Sequence, residues 1–155
     1  MDVQAIIAPG FGVAAAQAGV DNTRANQTLI HRELMKGTHP STIIQMLMAD
    51  TLIQRRQFGI VDLRGRFAGF SGARNQAASN SVQGQVPGTE IYYSIQGNIL
   101  AAQAVVQNAV RAFESASGDV TDRVMAAMEA ADAAGGDRRC TCTTAFDARM
   151  LPWIE

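Results

Sequence analysis

The alternating stretch RRQFGIVDLRGRFAGFSG, which begins at Arg55, constrains the fold more than any other feature of the chain. Phe58 and Ile60 alternate with other residues, a charged Arg-Gly pair interrupts the pattern, and apolar residues return beyond it. Successive side chains of a β-strand point to opposite faces of a sheet, so this alternation indicates strands with two different faces. The stretch therefore predicts a β-hairpin whose turn lies at Leu63–Arg66.

Helix patterns occur in two pairs, one on each side of this hairpin. The first pair is DNTRANQTLIHRELMKG and HPSTIIQMLMADTL, and the second is ILAAQAVVQNAVRAFESA and DVTDRVMAAMEAADAAGG. Their apolar residues recur at the i, i+3, i+4 spacing of one helix face. A strand pattern precedes each pair, namely GVAAAQAGV from Gly12 and EIYYSIQ before Gly97. This order predicts an α+β domain in which helix pairs cover the sheets.

The rest of the chain is less regular. The 155 residues are predicted to form a single domain, 1–155. The segment 73–90 is rich in Ser, Asn, Gln and Gly and is predicted to be a long polar loop. Residues 143–155 are predicted to be an irregular tail, in which Thr141–Phe146 is also compatible with a strand.

The composition excludes several classes of function. There are 13 Lys and Arg against 14 Asp and Glu, so we expect no nucleic acid and no membrane as partner. Cys140 and Cys142 lack the second cysteine pair of a zinc site, and we expect no metal and no other cofactor. The start MDVQAIIAPGFG lacks the features of a secretory signal. We therefore expect a cytoplasmic protein, or an exported one if a signal lies upstream of Met1.

The segment SIQGNIL joins a predicted strand to a predicted helix. Gln96 ends the strand, Gly97 bends the chain, and Asn98 is in position to cap the helix. The first N–H groups of a helix have no partner within it, so such a junction is able to hold a carboxylate, a phosphate or a developing oxyanion. The alternative interpretation is structural, with Gly97 as a tight turn and Asn98 as a simple cap.

The segment AGGDRRC supplies a second candidate. It places Asp137 beside Arg139 just after a helix end. An Asp next to a guanidinium is suited to positioning a substrate that bears a carboxylate. The alternative is an exposed surface ion pair, which would contribute little.

Two strand segments supply the remaining candidates. RRQFG places Arg56 and Gln57 at the start of a strand, where they either reach a pocket or form an exposed strand end. Gln17 is the long polar side chain of a strand made of small apolar residues. A buried amide needs hydrogen-bond partners, so Gln17 either joins a site or ties down the following loop.

Four of these segments occur in an order that resembles a bacterial and archaeal family known as domain of unknown function 1028. They are GVAAAQAG, RRQFGIVDLRGRFAGFSG, YYSIQGNIL and AGGDRRC, and the resemblance covers about Ile7 to Cys142. The family is grouped with the N-terminal-nucleophile hydrolases. The resemblance implies their four-layer αββα sandwich and their cleavage of amide bonds. In that superfamily an N-terminal Thr, Ser or Cys attacks with its own α-amine as base, while backbone and Asn donors hold the oxyanion.

The resemblance also implies a set of functional residues. Those that fall on the family's motifs are Gln17, Arg56, Gln57, Gln96, Gly97, Asn98, Gly136, Asp137 and Arg139. We expect all of them except Gly136 to line a site for a small-molecule substrate or anion. No catalytic residue is assigned to this chain.

One departure from the family affects the expected activity. Its members carry a further strand hairpin, with the nucleophile position, before the segment that matches Met1–Gly12. We therefore expect an incomplete sandwich and a hydrolase of amide or C–N bonds whose nucleophile this chain lacks. The alternatives are a non-catalytic protein that binds small anions and a homo-oligomeric assembly protein, since missing strands leave open sheet edges.

Overall fold

The computed structural model describes residues 4–19 and 21–139 of the chain. The strands are β1 (Gln4–Ala8), β2 (Gly12–Ala18), β3 (Arg56–Asp62), β4 (Phe67–Ser71), β5 (Asn80–Gln85) and β6 (Tyr92–Gly97). The helices are α1 (Ala25–Met35), α2 (Pro40–Leu47), α3 (Ala104–Ser115) and α4 (Val120–Ala133). A short 3-10 helix, Ile53–Arg55, leads into β3. Within these residues no helix is long and apolar enough to cross a lipid bilayer.

The strands form two antiparallel sheets. One has four strands in the order β1-β2-β3-β4, and the other is the pair β5-β6. The predicted hairpin is confirmed as β3 and β4, with Gln57 opposite Ser71 and Val61 opposite Phe67. Asp62 Oδ1 accepts hydrogen bonds from the backbone N–H groups of Arg64 and Arg66, both at 2.9 Å, and so fixes the turn.

The helix pairs lie on the outer faces of the two sheets. Helices α1 and α2 pack on the four-stranded sheet, where Phe58 and Ile60 meet Ile30, Leu34 and Ile43 in one apolar core. Helices α3 and α4 cover the β5-β6 pair. The inner faces of the two sheets contact each other, with β5 against β4 and β6 against β3. The described chain is therefore an α+β domain with antiparallel sheets and four helices, as predicted at that level.

The segment 73–90 was predicted to be a long loop, and this prediction is wrong because β5 lies inside it. Val82 and Val86 pack toward the helices, whereas Ser81 and Gln83 face the four-stranded sheet. A strand normally turns its polar side chains to water, but here they face a second, polar sheet. The polar composition of the segment therefore concealed a half-buried strand.

The prediction that a helix starts directly after Asn98 is also wrong. Helix α3 begins at Ala104, and its N-cap is Gln103. The residues between Asn98 and Ala104 form hydrogen bonds with two other loops instead. The N–H of Leu100 donates to Ala78 O at 3.2 Å, and the N–H of Ala101 donates to Gly136 O at 2.9 Å. Asn98 is consequently not an N-cap. The predicted tail 143–155 and the strand candidate Thr141–Phe146 lie outside the described residues.

Candidate functional site

The two sheets meet through a polar layer that holds several of the predicted residues. On β3, Phe58 and Ile60 point to the helices, so Gln57 and Gly59 point to the second sheet. The second sheet presents Ser and Gln side chains in return, namely Ser81, Gln83, Ser94 and Gln96. A methyl group at Gly59 would overlap Ser94 Oγ, so the close approach of the sheets requires glycine there.

Gln57 is the centre of this layer and is 0% exposed. Its Nε2 lies within hydrogen-bonding distance of Gly97 O at 3.0 Å, Asn80 O at 3.1 Å and Ser71 Oγ at 3.0 Å. Its Oε1 accepts from Gln17 Nε2 at 2.5 Å and from Asn98 Nδ2 at 3.3 Å. Gln17 and Gln57 stand opposite each other in the β2–β3 register. The fold thus brings together Gln17, Gln57, Gly97 and Asn98.

Gln96 belongs to the same layer, but its side chain forms fewer hydrogen bonds than that of Gln57. Its Oε1 accepts from Ser81 Oγ at 3.3 Å. Its Nε2 is buried and has no hydrogen-bond partner among residues 4–19 and 21–139. An unpaired buried amide is costly, so Gln96 is the weak point of the layer.

Arg56 is held by structural partners and does not line the cavity described below. Its Nε pairs with Asp50 Oδ2 at 2.8 Å, and its Nη1 donates to Gly19 O. Burial raises the pKa of Asp50, but hydrogen bonds from Asn26 and Leu52 and the Arg56 guanidinium outweigh it and hold the pKa below its ordinary value. Arg56 therefore ties the end of β2 to the start of β3.

A cavity of about 290 Å³ opens at this end of the sheets. Two predicted residues, Asn98 and Arg139, line it. The other lining residues are Ala18, Gly19, Arg55, Arg74, Asn75, Gln76 and Ile99. The sequence does not predict a role for three of these residues, Arg74, Asn75 and Gln76, because they lie in the segment predicted to be a long polar loop. The only signal for them was the polar run ARNQ itself.

Of the predicted pair Asp137 and Arg139, only Arg139 lines this cavity, and Asp137 is bound to Arg139. Arg139 Nε donates to Asp137 Oδ1 at 2.8 Å and Oδ2 at 3.1 Å, and the hydrogen bonds from Arg139 lower the pKa of Asp137. The backbone of Asp137 forms an isolated bridge with Leu100. The AGGDRR and SIQGNIL motifs are therefore neighbours in the structure.

Backbone strain is concentrated around the cavity. Three of its lining residues have positive φ without being glycine: Ala18 at 70°, Gln76 at 73° and Ile99 at 59°. For a β-branched residue such as Ile99 this conformation is a genuine outlier. Strain of this kind persists where the surrounding structure imposes it, and it is common at functional sites.

Two other features carry less chemistry. A groove of about 640 Å³ at the opposite end of the sheets is lined mainly by apolar residues, among them Ile7, Val13 and Leu63. Within the described part of the chain, no three His, Cys, Asp or Glu side chains are grouped as a metal site.

Comparisons with known proteins place the chain in a family. A model described as "Family of unknown function (DUF1028)" matches residues 2–146. The chain belongs to this family. The crystal structure of protein SPO2555 from Silicibacter pomeroyi, which carries the same family name, is similar at a TM-score of 0.68 and 26% identity. That match covers 81% of this chain and 55% of the other, so the chain spans little more than half the length of that relative. No curated protein matches the chain.

The assignment to DUF1028 confirms the resemblance that the motifs indicated, at the level of the family. Every residue that lines the cavity falls within the matched range of 2–146. The family description carries no activity, so a function for the cavity must be argued from its geometry.

Proposed function

We propose that the chain binds a small anion, such as a carboxylate, in the cavity at the ends of β2 and β6. The observation that carries the proposal is the meeting of Arg55, Arg74 and Arg139 around one cavity with the side chain of Asn98. Guanidinium groups bind carboxylates and phosphates through paired, charge-assisted hydrogen bonds. The volume of about 290 Å³ is close to the lower end of the ~300–1,000 Å³ typical of small-molecule sites.

The surroundings of the cavity support this proposal. The side chain of Asn98 donates a hydrogen bond to Gln57 in the buried layer. The ion pair of Arg56 with Asp50 and the backbone bond between Gly19 and Arg55 fix the strand ends next to the cavity. A site whose walls are held in this way loses little conformational freedom when a ligand binds. The Asn98 amide is therefore already in place, whereas the exposed guanidinium groups of Arg55 and Arg74 would be ordered by the anion.

Titration calorimetry with acetate, succinate and inorganic phosphate tests the proposal. We expect at least one of these anions to bind, and Arg74→Gln to weaken binding by about 10-fold or more, because hydrogen bonds to charged groups are worth ~1.5–3 kcal/mol. Arg111→Gln, on the exposed face of α3, is the matched control and should bind normally. Unchanged affinity in Arg74→Gln and Asn98→Ala would rule out this cavity as the site.

Hydrolysis of an amide or C–N bond of a small substrate is a second proposal, and it concerns the whole protein. It is supported by the side-chain amide of Asn98 at the cavity, which is the kind of donor that stabilises an oxyanion, and by the family resemblance. The fold type proposed with it is the αββα sandwich of the N-terminal-nucleophile hydrolases. Among the described lining residues there is no Ser, Thr or Cys, so the nucleophile would come from elsewhere in the protein.

A panel of N-acyl amino acids and small amides, assayed with this chain and with a full-length relative, tests hydrolysis. We expect turnover by the full-length protein and loss of that turnover in its equivalent of Asn98→Ala. Absence of hydrolysis across the panel by the full-length protein would count against the enzyme proposal while leaving anion binding intact.

Self-association is a third proposal, supported by exposed apolar side chains on the four-stranded sheet. Ile7 is 65% exposed and Val13 52% exposed, and both line the apolar groove. Exposed apolar surface of this kind marks contact sites in many proteins. Light scattering should give a mass above that of one chain, and a monomer at high concentration would contradict the proposal.

A further inference from the structure

We infer that the ligand of the cavity carries two negative charges; the inference rests on the anion-binding function proposed above. Three guanidinium groups, those of Arg55, Arg74 and Arg139, line the cavity. The carboxylate of Asp137 is already paired with Arg139. Arg55 and Arg74 have no acidic partner among residues 4–19 and 21–139.

Arg55 and Arg74 differ from the buried arginines of the strands in having no acidic partner within the described part of the chain. Arg56 and Arg66, which are more buried, are each paired with an aspartate at the base of a strand or turn. Acidic residues are not scarce, since the chain has 14 of them against 13 Lys and Arg. Two carboxylates lie near this region and both have other partners: Asp50 binds Arg56 and Asn26, and Asp21 binds Thr23 and the backbone N–H of Asn26. The positive charge at the cavity is therefore local and is not a reflection of overall composition.

The backbone holds these two arginines in one place although they come from different segments. Arg55 ends the 3-10 helix before β3, and its O accepts from Gly19 N at 2.7 Å. Arg74 lies between β4 and β5, and its N donates to Gln54 O at 2.8 Å. The backbone of Arg74 is thus bonded to Gln54, the residue before Arg55, just before β3. Both arginines therefore line the same cavity, where one anion is able to contact both guanidinium groups.

The lining of the cavity limits what the rest of the ligand looks like. Apart from Ala18 and Ile99, the side chains there are charged or carry amides. The volume of about 290 Å³ suits a small charged group. The ligand class is therefore a compact dianion, either a short dicarboxylate or a phosphomonoester, with one or two oxygens available to each guanidinium.

Calorimetry with matched probes tests the inference on the intact chain. The probes are succinate, its monomethyl ester and glycerol phosphate. Succinate and the monoester are similar in size but differ by one charge, and succinate and glycerol phosphate compare a dicarboxylate with a phosphate. We expect succinate or glycerol phosphate to bind about 10–100-fold more tightly than the monoester, as the value of one further charged hydrogen-bond pair implies. Whichever dianion binds identifies the source of the second charge.

The arginines themselves are tested by substitution. Arg55→Gln and Arg74→Gln should each remove the preference for the dianion over the monoester, whereas Arg55→Lys should restore part of it. Arg111→Gln should leave the preference unchanged. Both side chains are exposed, so thermal unfolding of the variants should match that of the unsubstituted chain.

The outcomes distinguish this inference from the function on which it rests. Equal affinity for succinate and its monoester would overturn the dianion inference while leaving a small-anion site in place. Absence of binding by all three probes and by inorganic phosphate would overturn both. A preference for the dianion that persists in Arg55→Gln and Arg74→Gln would overturn the role of these two residues.

Discussion

The two faces of the four-stranded sheet differ sharply, although both are buried along β3. On the helix side, Phe58 and Ile60 join an aliphatic core with α1 and α2. On the other side, one residue away along the same strand, Gln57 and Gly59 meet the Ser and Gln side chains of the second sheet. Strand residues alternate between faces, so a single strand can serve two environments. The helix side provides packing, and the inter-sheet side leads to the cavity.

The two faces also differ in how they stabilise the fold, and this difference bears on the candidate site. An apolar face gains stability simply by leaving water, whereas a polar face does so only if nearly every donor and acceptor finds a partner. The inter-sheet layer meets that condition at Gln57 and fails at Gln96. Such a layer is difficult to justify by stability alone. It does, however, hold the side-chain amide of Asn98 at the wall of the candidate cavity.

The first and largest expected effect is on the apolar face. Phe58→Ala should lower the free energy of unfolding by about 3–5 kcal/mol, because it deletes a buried ring and leaves a cavity. Chemical denaturation monitored by circular dichroism measures this change. A loss below about 1 kcal/mol would contradict the assignment of the main core to this side.

The second expected effect is on the opposite face of the same strand. Gly59→Ala would place a methyl group against Ser94 Oγ and Gln96 Oε1, and overpacking of this kind costs about 1–3 kcal/mol. The double variant Gly59→Ala with Ser94→Gly is the matched control, because it removes one of the two clashing side chains. We expect part of the loss to be recovered beyond additivity, as in a double-mutant cycle. Strict additivity would show that the sheets do not meet at this point.

The same two faces explain how much the sequence predicted. The helices and the β3–β4 hairpin were predicted because their apolar residues recur with the period of one buried face. Strand β5 was missed because its polar residues face another sheet, and composition cannot distinguish that from water. The pairing of Gln17 with Gln57 follows from strand register, which the separate motifs do not specify.

The site was predicted in part for a related reason. Asn98 and Arg139 were identified from motifs, but the expected helix N-terminus at Asn98 is absent because Ile99 adopts a left-handed conformation. Positive φ is rare for isoleucine, so residue preferences predict the opposite. Arg74 lies in an irregular segment, and only the tertiary fold brings it to Arg55.

The third prediction concerns how stability depends on alkaline pH through a residue on the helix side of the second sheet. Tyr93 packs against Phe113 on the helix side of β6, and its hydroxyl donates to Glu114 at 2.6 Å. Burial and the Glu114 carboxylate raise the pKa of Tyr93 to about 12. The unfolded chain releases this proton near its ordinary pKa of 10, so stability should fall as the pH rises from 10 to about 12. Tyr93→Phe should remove this dependence, and an identical alkaline slope in both proteins would contradict it.

The fourth and smallest expected effect lies at acid pH, on the outer layer of the other sheet. Glu33 on α1 accepts hydrogen bonds from Lys36, Arg32 and Thr38, which lower its pKa from 4.5 to about 2. A lowered carboxyl pKa stabilises the folded state above pH 4.5, and this contribution is lost as the pH falls toward 2. Its cationic partners are largely exposed, so solvent screening keeps the effect small. Glu33→Gln should be less stable than the unsubstituted chain at pH 6, with the difference narrowing toward pH 2.

A last test places an ionisable group in the inter-sheet layer, whose glutamines and serines do not titrate in either pH range. Gln57→Glu should make the free energy of unfolding depend on pH between acid and neutral values, and Glu33→Gln should not change this dependence. If Gln57→Glu left the pH profile unaltered, the inter-sheet layer would have to be open to water, and the contrast between the two faces of the sheet would fail.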